Sequence, residues 1–222
     1  MSGIGVVVPA RDEEDLIGEC LASIARASAL VAVPVVVVVV ADGCSDATAA
    51  VARGFAGVEV VELAPVGVGL ARARGVAAVL ARGVEWISCT DADSTVPENW
   101  LAEQWRLHRE GRALMIGTVR PRFAELSPAH VAHWRATHHR GFPNGHVHGA
   151  NLGVSAAAYR AAGGFAGLDE HEDVDLVARL RALGVAEVAT DACEVETSAR
   201  FEGRTAGGYA GHLRRIEAEL AG

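Results

Sequence analysis

Six consecutive valines at positions 35–40 limit the fold of this chain more than any other stretch. β-Branched side chains favour strands, and an apolar run without polar alternation is typical of a strand that is covered on both faces. Such strands belong to parallel sheets, whose two sides are covered by helices. The valine run therefore predicts the interior of an α/β fold.

Strands and helices are predicted to alternate through the first half of the chain. Apolar runs predict strands at 4–8, 35–40, 58–63 and 84–90. Apolar residues at helical spacing between 16 and 24, together with segments 47–53 and 67–81, predict the intervening helices. The sheet should therefore be mainly parallel, with right-handed crossovers.

Polar clusters follow three of these predicted strands. They comprise residues 9–13, 42–46 and 91–93. In open α/β sheets, ligands bind at the carboxyl ends of the strands. We therefore expect the three clusters to converge on one cleft.

The cluster after the fourth strand places Asp91 and Asp93 one residue apart. On an extended backbone both side chains project to the same side, where two carboxylates repel each other unless a cation lies between them. A hard divalent ion that also takes phosphate oxygens suits such a pair. A strand that ends in an ordinary Asp/Ser turn, with Pro97 opening a helix, is the alternative.

The composition narrows the classes of partner. The chain has 222 residues and a formal charge of −8, which argues against a nucleic-acid-binding surface. A diphosphate ligand would need a metal or arginines nearby. Four scattered cysteines without paired spacing, and the absence of a signal-peptide pattern or a bilayer-length apolar run, predict a cytoplasmic protein. Peripheral contact with a membrane remains compatible with this pattern.

The second half is less regular. Helices are predicted at 97–110, 127–139, 156–162, 173–183 and 209–220, and strands at 113–119, 152–154 and 185–189. A loop rich in glycine and histidine spans 140–151. No repeat or linker interrupts the sequence, which predicts a single domain over 1–222, with a nucleotide-binding half at about 1–95 and an acceptor-binding half at about 96–222.

Six short motifs occur in a fixed order, and together they resemble the signature of family 2 glycosyltransferases of the GT-A fold. The resemblance covers about residues 4–183, and the order and spacing of the motifs make it far more specific than any single one. The motifs are Val6-Val7-Val8-Pro9-Ala10-Arg11-Asp12-Glu13-Glu14, Ala41-Asp42-Gly43-Cys44-Ser45-Asp46, Ala71-Arg72, Asp91-Ala92-Asp93, Gly149-Ala150-Asn151-Leu152 and Glu172-Asp173.

This resemblance implies a Rossmann-like, mainly parallel sheet flanked by helices, with a smaller acceptor-side region. It also implies inverting transfer of a sugar from a UDP- or GDP-linked donor to a small-molecule or lipid-linked acceptor, with Mg²⁺ or Mn²⁺ at Asp91 and Asp93. Processive members carry long extensions that are not seen after the Gly-Ala-Asn motif, which favours a single addition. The residues expected to bind the nucleotide sugar are Pro9, Ala10, Arg11, Glu13, Asp42, Arg72, Asp91, Ala92 and Asp93. Those expected to bind the acceptor are His148, Gly149, Ala150, Asn151 and Glu172.

Two positions depart from the family pattern. Asp12 stands where an asparagine is common, and Ala73 stands where asparagine often follows the arginine of the helix motif. Neither change removes a catalytic group, but both leave the nucleotide base undetermined.

Asp173 is the predicted catalytic base, which would take the proton of the acceptor hydroxyl. Helical spacing places it on one stripe with Leu176, Val177, Leu180 and Leu183, and turns Glu172 about 100° away. Without the resemblance, the preferred interpretation is an acidic helix N-terminus stabilised by the helix dipole.

Several other polar residues have structural interpretations. Ser45 or Asp46 could cap the following helix, and Asp46 is expected to have a structural role. Composition alone would place Arg72 on a solvated face. His138, His139, His146 and His148 do not match a zinc-site spacing, and His148 is expected to line the acceptor pocket or to contact the diphosphate. Trp134 and Phe142 could form an apolar platform for a sugar.

Three rival functions are weaker. A nucleotidyltransferase would carry a basic, glycine-rich loop after the first strand, whereas this loop is acidic. A dinucleotide dehydrogenase would need a third glycine after Gly67 and Gly69. A catalytically silent nucleotide-binding GT-A domain would not require Asp91, Asp93 and Asp173 together.

Overall fold

The computed structural model describes residues 3–141, 143, 145–203 and 209–221. Within these residues, eight strands form one sheet with the order β3-β2-β1-β4-β7-β6-β8-β5. The strands are β1 (Ile4–Ala10), β2 (Val35–Asp42), β3 (Val58–Leu63), β4 (Trp86–Cys89), β5 (Ser94–Thr95), β6 (Leu114–Pro121), β7 (Leu152–Ser155) and β8 (Glu187–Thr197).

The parallel half of the sheet is built around β1. This strand pairs in parallel with β2 on one side and β4 on the other, and β2 pairs in parallel with β3. The valines of β2 alternate between two apolar layers: Val37 and Val39 pack into one, and Val38 and Val40 into the other. The predicted α/β fold, with a sheet covered on both faces, is therefore confirmed.

Six helices of the described residues divide between these two layers. Apolar residues of α1, α2 and α4 pack on one face of the sheet, and those of α3, α6 and α7 pack on the other. The helices are α1 (Ile17–Ser28), α2 (Thr48–Arg53), α3 (Val68–Ala81), α4 (Trp100–Arg109), α5 (Pro128–Thr137), α6 (Ala156–Ala161), α7 (Glu172–Ala182) and α8 (Tyr209–Ala221).

The second half of the sheet is where the sequence prediction was incomplete. Strand β7 lies antiparallel between β4 and β6, and β8 lies parallel to β6. The predicted strand at 185–189 is only the start of β8, which continues to Thr197 and pairs with the two-residue strand β5. Its later residues alternate between buried Cys193 and Val195 and the more exposed Glu194 and Glu196, a period-2 pattern that a search for continuous apolar runs misses.

This topology brings four strand ends to one edge. Strands β1, β2 and β4 are parallel, and the two antiparallel steps through β7 restore the same direction in β6 and β8. The carboxyl ends of β1, β2, β4 and β8 therefore open on the same side.

All four cysteines are free thiols. Among the helices of the described ranges, none has the length and apolar character that crossing a membrane requires.

Candidate functional site

A cleft of about 770 Å³ opens at this edge of the sheet. It is lined by residues from the ends of β1, β2, β4 and β8 and from the starts of α3, α7 and α8. The predicted site residues that line it are Pro9, Ala10, Arg11, Glu13, Asp42, Arg72, Asp91, Ala92, Asp93, His148, Gly149, Ala150, Glu172 and Asp173. The three polar clusters that follow strand ends thus contribute to one cleft, as predicted.

Asp91 and Asp93 follow β4 in a tight turn, in which the Ser94 backbone N–H donates to the Asp91 carbonyl oxygen at 3.1 Å. The side chain of Asp91 is 36% exposed and that of Asp93 is 15% exposed. Burial and the neighbouring charge of Asp91 raise the pKa of Asp93 to about 6. The two carboxylates are therefore close enough to repel each other in a poorly solvated site.

This pair fits a hard divalent cation. Two carboxylates supply part of an oxygen coordination shell, and the open cleft leaves room for waters and phosphate oxygens to complete it, as Mg²⁺ requires. A cation would also relieve the repulsion that raises the pKa of Asp93. The donor atoms do not distinguish Mg²⁺ from Mn²⁺.

Arg72 is a buried cation that connects the turn after β4 with the start of α7. It lies on α3, is only 4% exposed, and pairs with Asp91 through Nη2 and with Glu172 through Nη1. Gly149 packs against the guanidinium, and a Cβ atom at that position would collide with it. The solvated position that composition alone favoured for Arg72 is wrong, because the two carboxylates compensate its burial.

The start of α7 corrects the predicted orientation of the acidic pair. Glu172 is the buried member at 3% exposure, whereas Asp173 is only partly buried and Leu183 is 53% exposed. The buried stripe of α7 therefore begins at Glu172, because its carboxylate is paired with Arg72. Both acids nevertheless line the cleft, and within the described ranges Asp173 forms no salt bridge.

Asp42 and Glu13 also line the cleft, and both are buried. The Asp42 carboxylate accepts the backbone N–H groups of Val66 at 2.7 Å and Gly67 at 3.1 Å. The Glu13 carboxylate accepts two hydrogen bonds from the guanidinium of Arg200, at 2.7 and 3.0 Å. Both acids are thus held in fixed orientations beside the cleft.

Arg200 is a site residue that the sequence analysis missed. It follows the carboxyl end of β8, lines the cleft, and also pairs with Asp93 at 2.9 Å. The rule that polar residues after strand ends converge would have identified it if β8 had been extended to Thr197. The missed signal was therefore the polar and apolar alternation of that strand.

Asn151 lies in the predicted acceptor motif, but its side chain is fully buried. It accepts a hydrogen bond from Trp100 Nε1 at 2.9 Å and donates to the backbone carbonyls of Thr118 and Cys193, each at 2.9 Å. In this conformation the side chain is out of reach of an acceptor. Asn151 instead holds the 3₁₀ turn that carries Gly149.

The histidine-rich segment contributes His138, His146 and His148 to the cleft. Burial lowers the pKa of His148 to about 4, so its imidazole is neutral at pH 7. The rings of His146 and Tyr209 lie 6.5 and 6.4 Å from that of His148. A neutral imidazole in this position is suited to hydrogen bonding with a polar ligand.

The remaining sequence predictions concern residues beside the cleft. Asp46 accepts the backbone N–H groups of Thr48 at 2.9 Å and Glu14 at 3.0 Å, so it has a structural role. It is not the helix cap, because the N-cap residue of α2 is Ala47. Trp134 stacks on His138 with ring centroids 4.4 Å apart, and in the part of the chain that is described it does not line the cleft. Phe142, its predicted partner in an apolar platform, lies outside the described residues.

Comparison with known families decides the classification. The model of glycosyl transferase family 2 matches residues 5–163. The chain belongs to glycosyl transferase family 2. Among curated proteins, no sequence matches it.

Solved glycosyltransferases have the same fold. S. aureus TarS 1-349 in complex with UDP-GlcNAc superposes with a TM-score of 0.71 at 16% identity, over 99% of this chain and 65% of TarS 1-349. The mannosyltransferase PcManGT from Pyrobaculum calidifontis, in complex with GDP-Man and Mn2+, superposes with a TM-score of 0.66 at 22% identity, over 98% of this chain and 61% of PcManGT. This family 2 chain therefore spans just under two thirds of either solved chain.

Proposed function

We propose that this chain transfers one sugar from a nucleotide diphosphate donor to an acceptor hydroxyl, with inversion at the anomeric carbon and with Mg²⁺ or Mn²⁺ as cofactor. The observation that carries the proposal is that a carboxylate pair suited to a divalent ion, Asp91 and Asp93, shares one cleft with the partly buried Asp173. The donor is UDP- or GDP-linked, in keeping with the ligands of the solved relatives. The acceptor is a small molecule or a lipid-linked molecule.

At the donor end, Asp91 and Asp93 hold the divalent ion, which when bound neutralises charge that develops on the departing diphosphate. Asp42 recognises the base. Each of its oxygens accepts one backbone N–H and keeps a second lone pair, which an imide N–H of uracil or the ring N–H of guanine can use. Arg72 keeps Asp91 oriented from beneath.

At the acceptor end, Asp173 takes the proton of the acceptor hydroxyl. The hydroxyl oxygen forms a bond to the anomeric carbon as the bond from that carbon to the phosphate oxygen breaks, and the bonding electrons leave with the nucleoside diphosphate. A positioned general base contributes about 10² to 10⁴ in rate. Attack from the side opposite the leaving group inverts the configuration.

The test is release of UDP or GDP from a panel of UDP- and GDP-sugars, with sugar and lipid-linked acceptors and with Mn²⁺. With the active pair, the anomeric configuration of the product is read by NMR. Asp173→Asn should lower kcat/KM by about 10² to 10⁴ without changing the affinity for the diphosphate.

Asp175→Asn is the matched control, since Asp175 lies in the same first turn of α7 but pairs with Arg179, and among the described residues it does not line the cleft. Equal losses in the two variants, or a product that retains configuration, would contradict the assignment of Asp173.

A further inference from the structure

Each carboxylate of the Asp91 and Asp93 pair already has an arginine partner in this structure. Asp91 pairs with Arg72 and Asp93 pairs with Arg200. Each arginine also holds a second, buried carboxylate: Glu172 for Arg72 and Glu13 for Arg200. The two guanidinium groups thus offset only part of the negative charge of the Asp91 and Asp93 pair, because each is shared with a second carboxylate.

The two arginines differ in their freedom to move. Arg72 is on a helix and almost completely buried, so its ion pairs are part of the packed interior. The side chain of Arg200 is 37% exposed, follows the end of β8, and reaches Asp93 at 2.9 Å through one nitrogen atom. Its bidentate contact with Glu13, at 2.7 and 3.0 Å, anchors it beside the cleft independently of Asp93.

A cation at Asp93 and the guanidinium of Arg200 compete for the same carboxylate. Two positive charges in a poorly solvated site repel each other, so binding of a divalent ion at Asp93 weakens the contact between Arg200 and Asp93. A diphosphate bound to that ion offers phosphate oxygens, which are strong acceptors for a guanidinium. The displaced Arg200 therefore gains a new partner only when the diphosphate is present.

We propose that Arg200 couples metal binding to diphosphate binding. Before a ligand binds, it offsets part of the charge of Asp93 and weakens the binding of a divalent ion alone. When the ion and the diphosphate are bound together, it donates to the phosphate oxygens and remains held by Glu13. This inference rests on the proposed function, because it requires a diphosphate ligand at this cleft.

The proposed coupling predicts that replacing Arg200 changes the two affinities in opposite directions. Because linkage is reciprocal, the factor by which the diphosphate tightens Mn²⁺ binding equals the factor by which Mn²⁺ tightens diphosphate binding. Removing the charge of Arg200 should strengthen binding of Mn²⁺ alone and weaken binding of the diphosphate with Mn²⁺. Simple damage to the site would weaken both.

The experiment measures Mn²⁺ binding by the EPR signal of free Mn²⁺, and UDP and GDP binding by calorimetry with and without Mn²⁺. Arg200→Gln should bind Mn²⁺ alone about fivefold more tightly, the size of a partly exposed ion pair. It should bind the diphosphate with Mn²⁺ about tenfold more weakly, because a charge-assisted hydrogen bond is lost. Arg200→Lys keeps the charge and should give intermediate values for both, and it serves as the test if Arg200→Gln does not fold.

Arg120→Gln is the matched control. The side chain of Arg120 is 36% exposed, close to the 37% of Arg200, and it also contacts two carboxylates, Glu194 and Glu196. Among the described residues, Arg120 does not line the cleft. Its variant should bind Mn²⁺ and the diphosphates as the unmodified protein does. If Arg200→Gln leaves Mn²⁺ affinity unchanged or weaker, the coupling proposal fails while the proposed function stands. If the unmodified protein binds neither diphosphate with Mn²⁺, the proposed function fails, and the coupling proposal fails with it.

Discussion

The buried ion pairs of Arg72 make a quantitative prediction about the stability of the site. Arg72→Met keeps most of the volume of the side chain but removes its charge, which leaves Glu172 buried at 3% exposure without its guanidinium partner. Breaking one partner out of a buried pair costs about 3 to 5 kcal/mol. Without ligands, the free energy of unfolding of Arg72→Met should fall by about that amount.

The double variant Arg72→Met with Glu172→Leu separates the lost charge pair from general damage. It removes the uncompensated carboxylate and replaces a buried ion pair with apolar groups, an exchange that is often close to neutral. We therefore expect it to recover about 2 to 4 kcal/mol relative to Arg72→Met alone. Urea denaturation in metal-free buffer, followed by circular dichroism, provides both values.

Arg82→Met is the control for an exposed ion pair, because Arg82 and its partner Glu59 are both substantially exposed. Its cost should stay below about 1 kcal/mol. The interpretation of Arg72 as a buried structural cation is refuted if Arg72→Met costs no more than this control, or if the double variant recovers none of the stability that Arg72→Met loses.

Three further predictions concern residues around the cleft. The pKa of His148 is lowered from 6.5 to about 4, so protonation favours the unfolded chain. The stability that the folded protein gains from a neutral His148 is therefore complete above pH 6.5, and up to about 3 kcal/mol of it is lost as the pH falls toward 4. Urea denaturation at pH 7 and pH 4.5 should show a smaller loss for His148→Gln, and equal losses would contradict the buried neutral imidazole. Asn151→Ala removes two buried hydrogen bonds and one part-buried hydrogen bond, and it should cost about 3 kcal/mol or more. Asn99→Ala, which removes one exposed hydrogen bond, should cost under about 1 kcal/mol, and similar values for the two variants would show that the Asn151 network matters little. Gly149→Ala pushes a Cβ atom against the Arg72 guanidinium, so it should lower the free energy of unfolding by about 1 to 3 kcal/mol and weaken the diphosphate affinity measured by calorimetry. An unchanged affinity and stability would mean that the guanidinium moves freely.

The parallel half of the sheet could be predicted from sequence because its signals are local and strong. The six valines at 35–40 have no polar alternation, and three of the four predicted strands, including this one, are followed by a polar cluster. Parallel topology then forces those clusters to one edge, so the cleft followed from the strand order without knowledge of any side-chain contact.

The contacts within the site could not be predicted in the same way, because they depend on residues far apart in the sequence. Helical spacing favoured Asp173 over Glu172 as the buried residue of α7. The order is reversed because Arg72, a hundred positions earlier, neutralises Glu172 and makes its burial possible. Periodicity records which residues are apolar, and it does not record which charges find a partner.

Arg200 illustrates a third kind of limit. Its position depends on where β8 ends, and that strand is half-polar because only one of its faces is packed against the core. An edge region of this kind has a weaker sequence signal than a strand buried on both faces. Because the second part of β8 was not predicted, the predicted site lacked Arg200, the residue on which the proposed coupling of metal and diphosphate binding depends.

The central claim, that the cleft binds a nucleoside diphosphate through a divalent ion at Asp91 and Asp93, is tested most directly by calorimetry. UDP, GDP, TDP and ADP are each titrated with and without Mn²⁺ into the unmodified protein and into the double variant Asp91→Asn with Asp93→Asn. Asp46→Asn controls for metal held by the exposed group of Asp12, Cys44 and Asp46, whose ligand atoms lie within 4.8 Å of one another. We predict that one diphosphate binds only with Mn²⁺, that the double variant loses this binding and that Asp46→Asn keeps it. Failure of all four to bind, or binding that depends on neither Mn²⁺ nor the two aspartates, would contradict the account.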